Sequence, residues 1–207
     1  MNGKSLSVVK TVSMAIALSV GASGVTRAQA PPASPLPTVE QQIAASVLAL
    51  PAEMRPGATV MGYRTAGKLE TIRTGKNGMT CLALFATQKD FHVACYQESM
   101  EPFMLRGREL RAQGVKDPKV DSVRFQEVAS GKIKMPALAT MYQIFGKATS
   151  WDRATGKISD ATTLTVIYIP GATAESTGLS LLPPKSGPWL MHPGTPKAHI
   201  MLSGTMP

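Results

Sequence analysis

Aromatic side chains make up only 5% of the 207 residues, and cysteine occurs twice, as Cys81 and Cys95. With so few rings, the core must be filled by Val, Ile, Leu, Ala and Met. Ten of the twelve methionines fall beyond residue 30, where flexible thioethers suit irregular gaps. Two cysteines are too few for a disulfide-dense mini-scaffold. No apolar run reaches the ~20 residues that a spanning helix needs. The chain also lacks H-E-x-x-H, a P-loop, a nucleotide-binding glycine fingerprint and C-x-x-C. The enzyme classes with local signatures are therefore unsupported, and an enzyme is the less favoured reading. Acids are in the minority, 13 against 22 Lys and Arg.

What is present begins with an export signal. Met1 to Lys10 carries Lys4 and Lys10 and no acid; Thr11 to Val25 is small and apolar; Arg27 precedes Ala28-Gln29-Ala30, a small-x-small cleavage site. This order marks residues 1–30 as a signal peptide cleaved after Ala30. No Cys follows the site, so no lipidated N-terminus is expected. Loss of Lys4, Lys10 and Arg27 lowers the formal charge from +9 to +6 for a mature chain starting at Pro31. The expected location is periplasmic or extracellular. There two cysteines most simply pair. Met79 to Phe85 and Phe91 to Tyr96 are β-prone runs, and a hairpin folded around Gln88 puts Cys81 opposite Cys95. The disulfide would close a loop of ~15 residues, worth about 3 kcal/mol on the chain-entropy model.

The rest reads as one α+β domain over residues 38–207, behind a proline-rich tether at 31–37. The pattern predicts an antiparallel sheet of about six to seven short strands with two to three helices packed on it. Thr38 and Gln41 form a capping box for a helix with Val39, Ile43, Val47 and Leu50 along one stripe, stopped by Pro51. A four-strand meander is expected next, turning at Thr65-Ala66-Gly67-Lys68 and at Asn77-Gly78. Ser99 caps a helix whose buried face holds Met100, Phe103, Met104, Gly107 and Leu110, and Gly114 ends it. Asp117-Pro118 starts another with a cap and an N1 proline, contributing Val120, Val123 and Val128. Leu138–Phe145 and Thr162–Ile169 are expected strand partners. Residues 182–196 carry five prolines and should be largely irregular, and 198–202 forms a short final strand.

Four groups of residues carry possible chemistry. Residues 191–201 contain His192, His199 and Met201, and strand alternation puts His199 and Met201 on one face. Imidazole with thioether suits copper, especially Cu(I), with zinc as the other metal such a segment could meet; His92 is a third ligand only if folding brings it close. Glu175 as base or Ser176 as nucleophile, with a histidine such as His199, would make a hydrolase, although no G-x-S-x-G surrounds Ser176. Arg106, Arg108, Arg111 and Lys116 form a basic group that could meet an acidic envelope component. Equally, they suit the negative end of a helix. Nucleic acid is a poor partner, since no aromatic stacking motif accompanies these cations. Finally, Trp189 among prolines is either a platform for a small ligand or a pin that fastens its loop. Together these features favour an exported, non-catalytic binding or structural domain, with a copper-type metal-handling protein and a hydrolase as alternatives.

Overall fold

The computed structural model describes residues 35–206, of which residues 35 onward make one compact unit. The proposed signal peptide and most of the tether lie outside the described residues. Eight strands form one sheet: β1 (Thr59–Thr65), β2 (Lys68–Arg73), β3 (Met79–Leu82), β4 (Phe91–Gln97), β5 (Ala139–Gly146), β6 (Ala161–Tyr168), β7 (Trp189–Met191) and β8 (His199–Met206). Their order is β2-β1-β3-β4-β5-β6-β8-β7. The helices are α1 (Val39–Ser46), α2 (Glu101–Ala112), α3 (Lys119–Ala129) and the single turn α4 (Ala174–Thr177). The α+β class holds, while the sheet has more strands than expected and is mixed.

The mixing comes from β3. It pairs in parallel with β1 and antiparallel with β4, so the expected meander is not formed. The cause lies in the link after β2. Gly57 carbonyl accepts from the backbone N–H groups of Lys76 (2.7 Å) and Asn77 (3.1 Å), which carries the chain across the end of β1. A Cβ on Gly75 would lie 2.2 Å from that same carbonyl oxygen, so only glycine fits the crossing. Asn77-Gly78 does turn, but it feeds a crossover instead of a hairpin.

Each face of the sheet has its own cover. Tyr96, Met141, Val166, Tyr168 and Leu82 pack on one face with Phe103 and Met100 at α2 and Ile133 after α3. On the opposite face Val60, Ile72, Met79, Cys81 and Cys95 meet Val47 and Leu50 beyond α1. Phe85, Phe91 and Trp151 fill the end of the core beside Ala45, with ring centroids 4.7–5.8 Å apart. Cys81 and Cys95 are directly opposed across β3 and β4 and form the expected disulfide.

The helix ends differ in part from expectation. The Thr38–Gln41 capping box is present. Ser99 does not cap α2: it sits in a 3-10 turn, its N–H donating to the Gln97 side chain, and Met100 takes the N-cap position, with Pro102 in the first turn. Asp117 does not cap α3, because its carboxylate pairs with Arg111 and Pro118 takes the N-cap position. Gly114 and Gly131 follow α2 and α3 with φ of 82° and 76°, the left-handed conformation that ends helices. The last residues of the tether are held to the domain: Pro35 carbonyl accepts from Arg153 and Pro37 carbonyl from Gln42. β8 runs eight residues, longer than expected, because β6 pairs along its whole length. Trp189–Met191 forms a short strand inside the proline-rich segment.

Candidate functional site

The richest group of polar side chains lies at one corner of the sheet, where β6 ends, β8 begins and the N-terminal turn of α3 packs alongside. The turn entering β8 sets its shape. Thr195 Oγ1 donates to His192 carbonyl at 2.7 Å and accepts from Lys197 N–H at 3.2 Å. His192 itself has φ of 53°, a conformation that non-glycine residues seldom adopt. The turn sets the His192 ring beside that of His199, with centroids 5.5 Å apart.

His199 is 6% exposed and its ring lies 5.1 Å from that of Tyr168, its partner across the ladder. Its Nδ1 lies 2.6 Å from Lys197 carbonyl. A carbonyl can only accept, so Nδ1 carries the proton and Nε2 keeps its lone pair. Burial lowers the pKa of both histidines, and the Lys197 ammonium adds to the effect. Both rings are therefore neutral at pH 7. Met191 is directly opposite His199 on β7, and Met201, two residues along β8, is directly opposite Trp189.

An ion-pair group borders these rings. Lys197 Nζ lies 2.8 Å from Asp121 Oδ2, and Arg124 Nη2 bonds the other oxygen of the same carboxylate. Burial pushes the Asp121 carboxyl up, but the hydrogen bonds from Lys197 and Arg124 outweigh it and hold the group below its ordinary value. Arg124 is 4% exposed, stacks 3.9 Å over the Phe103 ring and donates to Phe103 carbonyl at 3.2 Å. Its Nε is buried without a partner. Burial raises the Tyr168 phenol to about 12, so it remains protonated.

The other candidates fall elsewhere. His92 is on β4, three strands from β8, a lateral separation of ~14 Å at the usual strand spacing. Its row on the ladder meets Phe145, Thr162 and Thr205, far along β8 from His199. It cannot join His192 and His199 as a ligand. Instead its Nε2 meets Gln143 at 3.1 Å and its ring stacks on Phe145 at 4.3 Å, beside an open groove of about 500 Å³ that includes Asp90, Lys147 and Asp160.

Ser176 occupies the third position of α4 in a capping box with Thr173. Its Oγ donates to Thr173 carbonyl at 3.1 Å and accepts from Thr173 N–H at 2.9 Å. The hydroxyl is thus committed to its own turn, and among the described residues it bonds no histidine. Glu175 is exposed, and hydrogen bonds from its own backbone N–H and the Thr173 hydroxyl hold its carboxyl below the ordinary value. That lowering works against a role as base.

Three of the four basic candidates are engaged in ion pairs. Arg106 meets Glu127 at 2.8 Å and Glu109 at 3.2 Å, Arg108 meets Glu101 at 2.5 Å, and Arg111 meets Asp117 at 3.2 Å. Lys116 is exposed. Arg108 also donates to the buried Tyr96 hydroxyl at 3.0 Å. These cations mainly fasten α2 to its surroundings. Trp189 is half-buried on β7 and Leu190 beside it is 1% exposed, which supports the pin.

Among the described residues no group of three or more His, Cys, Asp or Glu could hold a metal. A closed zinc site of the usual donors is therefore not assembled there, and both cysteine sulfurs are consumed by the disulfide. The chain matches no protein-family model, no curated protein and no solved structure. Reading the sequence alone missed Asp121, Arg124, Lys197 and Tyr168, which converge from three elements. Met191 carried a usable signal: alternation within Trp189-Leu190-Met191 puts it on the face of Trp189.

Proposed function

We propose that this chain is an exported, non-catalytic binding domain that takes its ligand at the β7–β8 corner. The observation that carries the reading is the paired His192 and His199 rings, 5.5 Å apart. Two neutral imidazoles lie side by side with no hydrogen bond to either Nε2 among the described residues, while the neighbouring Lys197 and Arg124 both pair with the Asp121 carboxylate. A turn that holds a non-glycine residue at positive φ to bring one ring to the other is a local cost. Such a cost is easier to understand at a recognition site than in a passive surface loop. The commitment of the Ser176 hydroxyl to its own turn supports the non-catalytic part.

Export is supported by the disulfide, which fits an oxidising compartment. In addition, no helix among the described residues is long and apolar enough to cross a membrane. Periplasm or extracellular space is the setting proposed. The test is a thermal-shift series on the mature protein with zinc(II), copper(I), inorganic phosphate and dextran sulfate, repeated on His199→Gln. A stabilisation by one of these probes that disappears in the variant is expected. Stabilisation that survives His199→Gln for every probe, or no stabilisation at all, would move binding away from this corner. Hydrolysis of p-nitrophenyl acetate abolished by Ser176→Ala would replace the reading with an enzyme.

A further inference from the structure

Resting on that corner as the binding site, we propose that Met191, His199 and Met201 form a Cu(I) site, with His192 at its rim. The β7–β8 register carries the argument. Met191 faces His199 directly and Met201 faces Trp189 directly, so the four residues share one face of the two-stranded edge. Directly opposed side chains have Cβ atoms ~4.5–5.5 Å apart, and residues two apart on a strand are ~6.8 Å apart. Methionine side chains are long and flexible enough to bring their sulfurs within such a triangle. The imidazole contributes Nε2, since Nδ1 is tied to Lys197 carbonyl at 2.6 Å. That backbone bond also fixes the ring, as the outer partners of metal-binding histidines do.

The donor set selects the metal. Two thioethers and one or two neutral imidazoles are soft and uncharged, which suits Cu(I) and gives little to zinc, calcium or magnesium. The surroundings select in the same direction. The Lys197 and Arg124 cations outnumber the Asp121 carboxylate they share, so the local field penalises a dication more than a monocation. Met191, His192 and Met201 are each partly exposed, so an ion can enter without opening the core. Trp189, opposite Met201, lies on the same face.

The experiment is anaerobic competition of the mature protein with bicinchoninate for Cu(I), with copper K-edge absorption on the loaded protein. One Cu(I) per chain is expected, with nitrogen and sulfur both in its shell. Met191→Leu and Met201→Leu preserve volume and apolarity, and each should lower the affinity at least tenfold. His92→Gln should leave it unchanged. Absence of competition, a shell of nitrogen and oxygen only, or unchanged affinity in both leucine variants overturns the proposal. Far-UV circular dichroism checks that the variants fold, and loss of binding counts only for folded protein. If Cu(I) fails while phosphate, zinc or dextran sulfate still responds to His199→Gln, the corner stands and the copper assignment alone falls. If none responds, both fall.

Discussion

Gln42 on α1 bonds both backbone polar groups of Tyr63 on β1. Its Oε1 accepts from Tyr63 N–H and its Nε2 donates to Tyr63 carbonyl, each at 2.8 Å. Nε2 also donates to Pro37 carbonyl at 2.8 Å, and the residue is fully buried. The amide thus acts as a short substitute for a strand, satisfying β1 where its pairing with β2 becomes irregular.

Gln42→Leu should therefore destabilise the protein by about 3 kcal/mol, because three backbone groups lose their partner at a buried site. Gly62→Ala should destabilise through the same contact. A Cβ there would lie 2.6 Å from Gln42 Oε1 and 2.5 Å from Ile72 Cδ1, an overpacking that typically costs about 1–3 kcal/mol. Urea unfolding measures both. A Gln42→Leu effect below about 0.5 kcal/mol would mean that water replaces the amide.

Removing the disulfide with Cys81→Ala and Cys95→Ala should cost about 3 kcal/mol, from the loop that the bond closes. Both sulfurs belong to fully buried residues. Thiol labelling of native protein in the presence of dithiothreitol should therefore be slow and should accelerate with urea. Rapid labelling in native buffer would show that β3 and β4 open locally.

Acid should weaken the fold in two stages. Burial lowers the folded-state pKa of His92, His192 and His199 below the ordinary 6.5. The unfolded chain then binds more protons than the native one just below pH 6.5, so stability falls as pH drops through that region. The Asp121 carboxyl is held below the ordinary 3.8. Its contribution is present above that value and is lost as pH falls below it. Urea midpoints between pH 7.5 and 3 should show both stages, and His199→Gln should flatten the first. An unchanged slope in that variant would mean that its imidazole titrates as freely as in the unfolded chain.

Native material should have the mass of a chain starting at Pro31, with the two sulfurs bonded. A mass running from Met1 with both thiols free would remove the export assignment and, with it, the oxidising setting proposed for this fold.

Much of the local structure was legible in the chain. The Thr38–Gln41 cap, the buried face of α2, the β5–β6 pairing and the Cys81–Cys95 opposition all rest on short-range periodicity and turn chemistry, which sequence spacing encodes directly. The α1 stripe was legible only in part: Val47 and Leu50 are buried, but Gln42, Ala45 and Ser46 form the most enclosed side of the helix. A glutamine reads as surface until a partner such as Tyr63 is known.

Tertiary structure alone decided the parallel β1–β3 pairing, because the bonds to Gly57 carbonyl that redirect the chain join segments with no local pattern between them. It also decided the corner. His199 and Met201 share a face by alternation within one strand, which the sequence determines. The addition of His192, Met191, Lys197, Asp121, Arg124 and Tyr168 depends on how a turn, an edge strand and a helix meet. Spacing along a chain fixes which way neighbouring side chains point, whereas proximity between distant ones follows from packing the whole sheet.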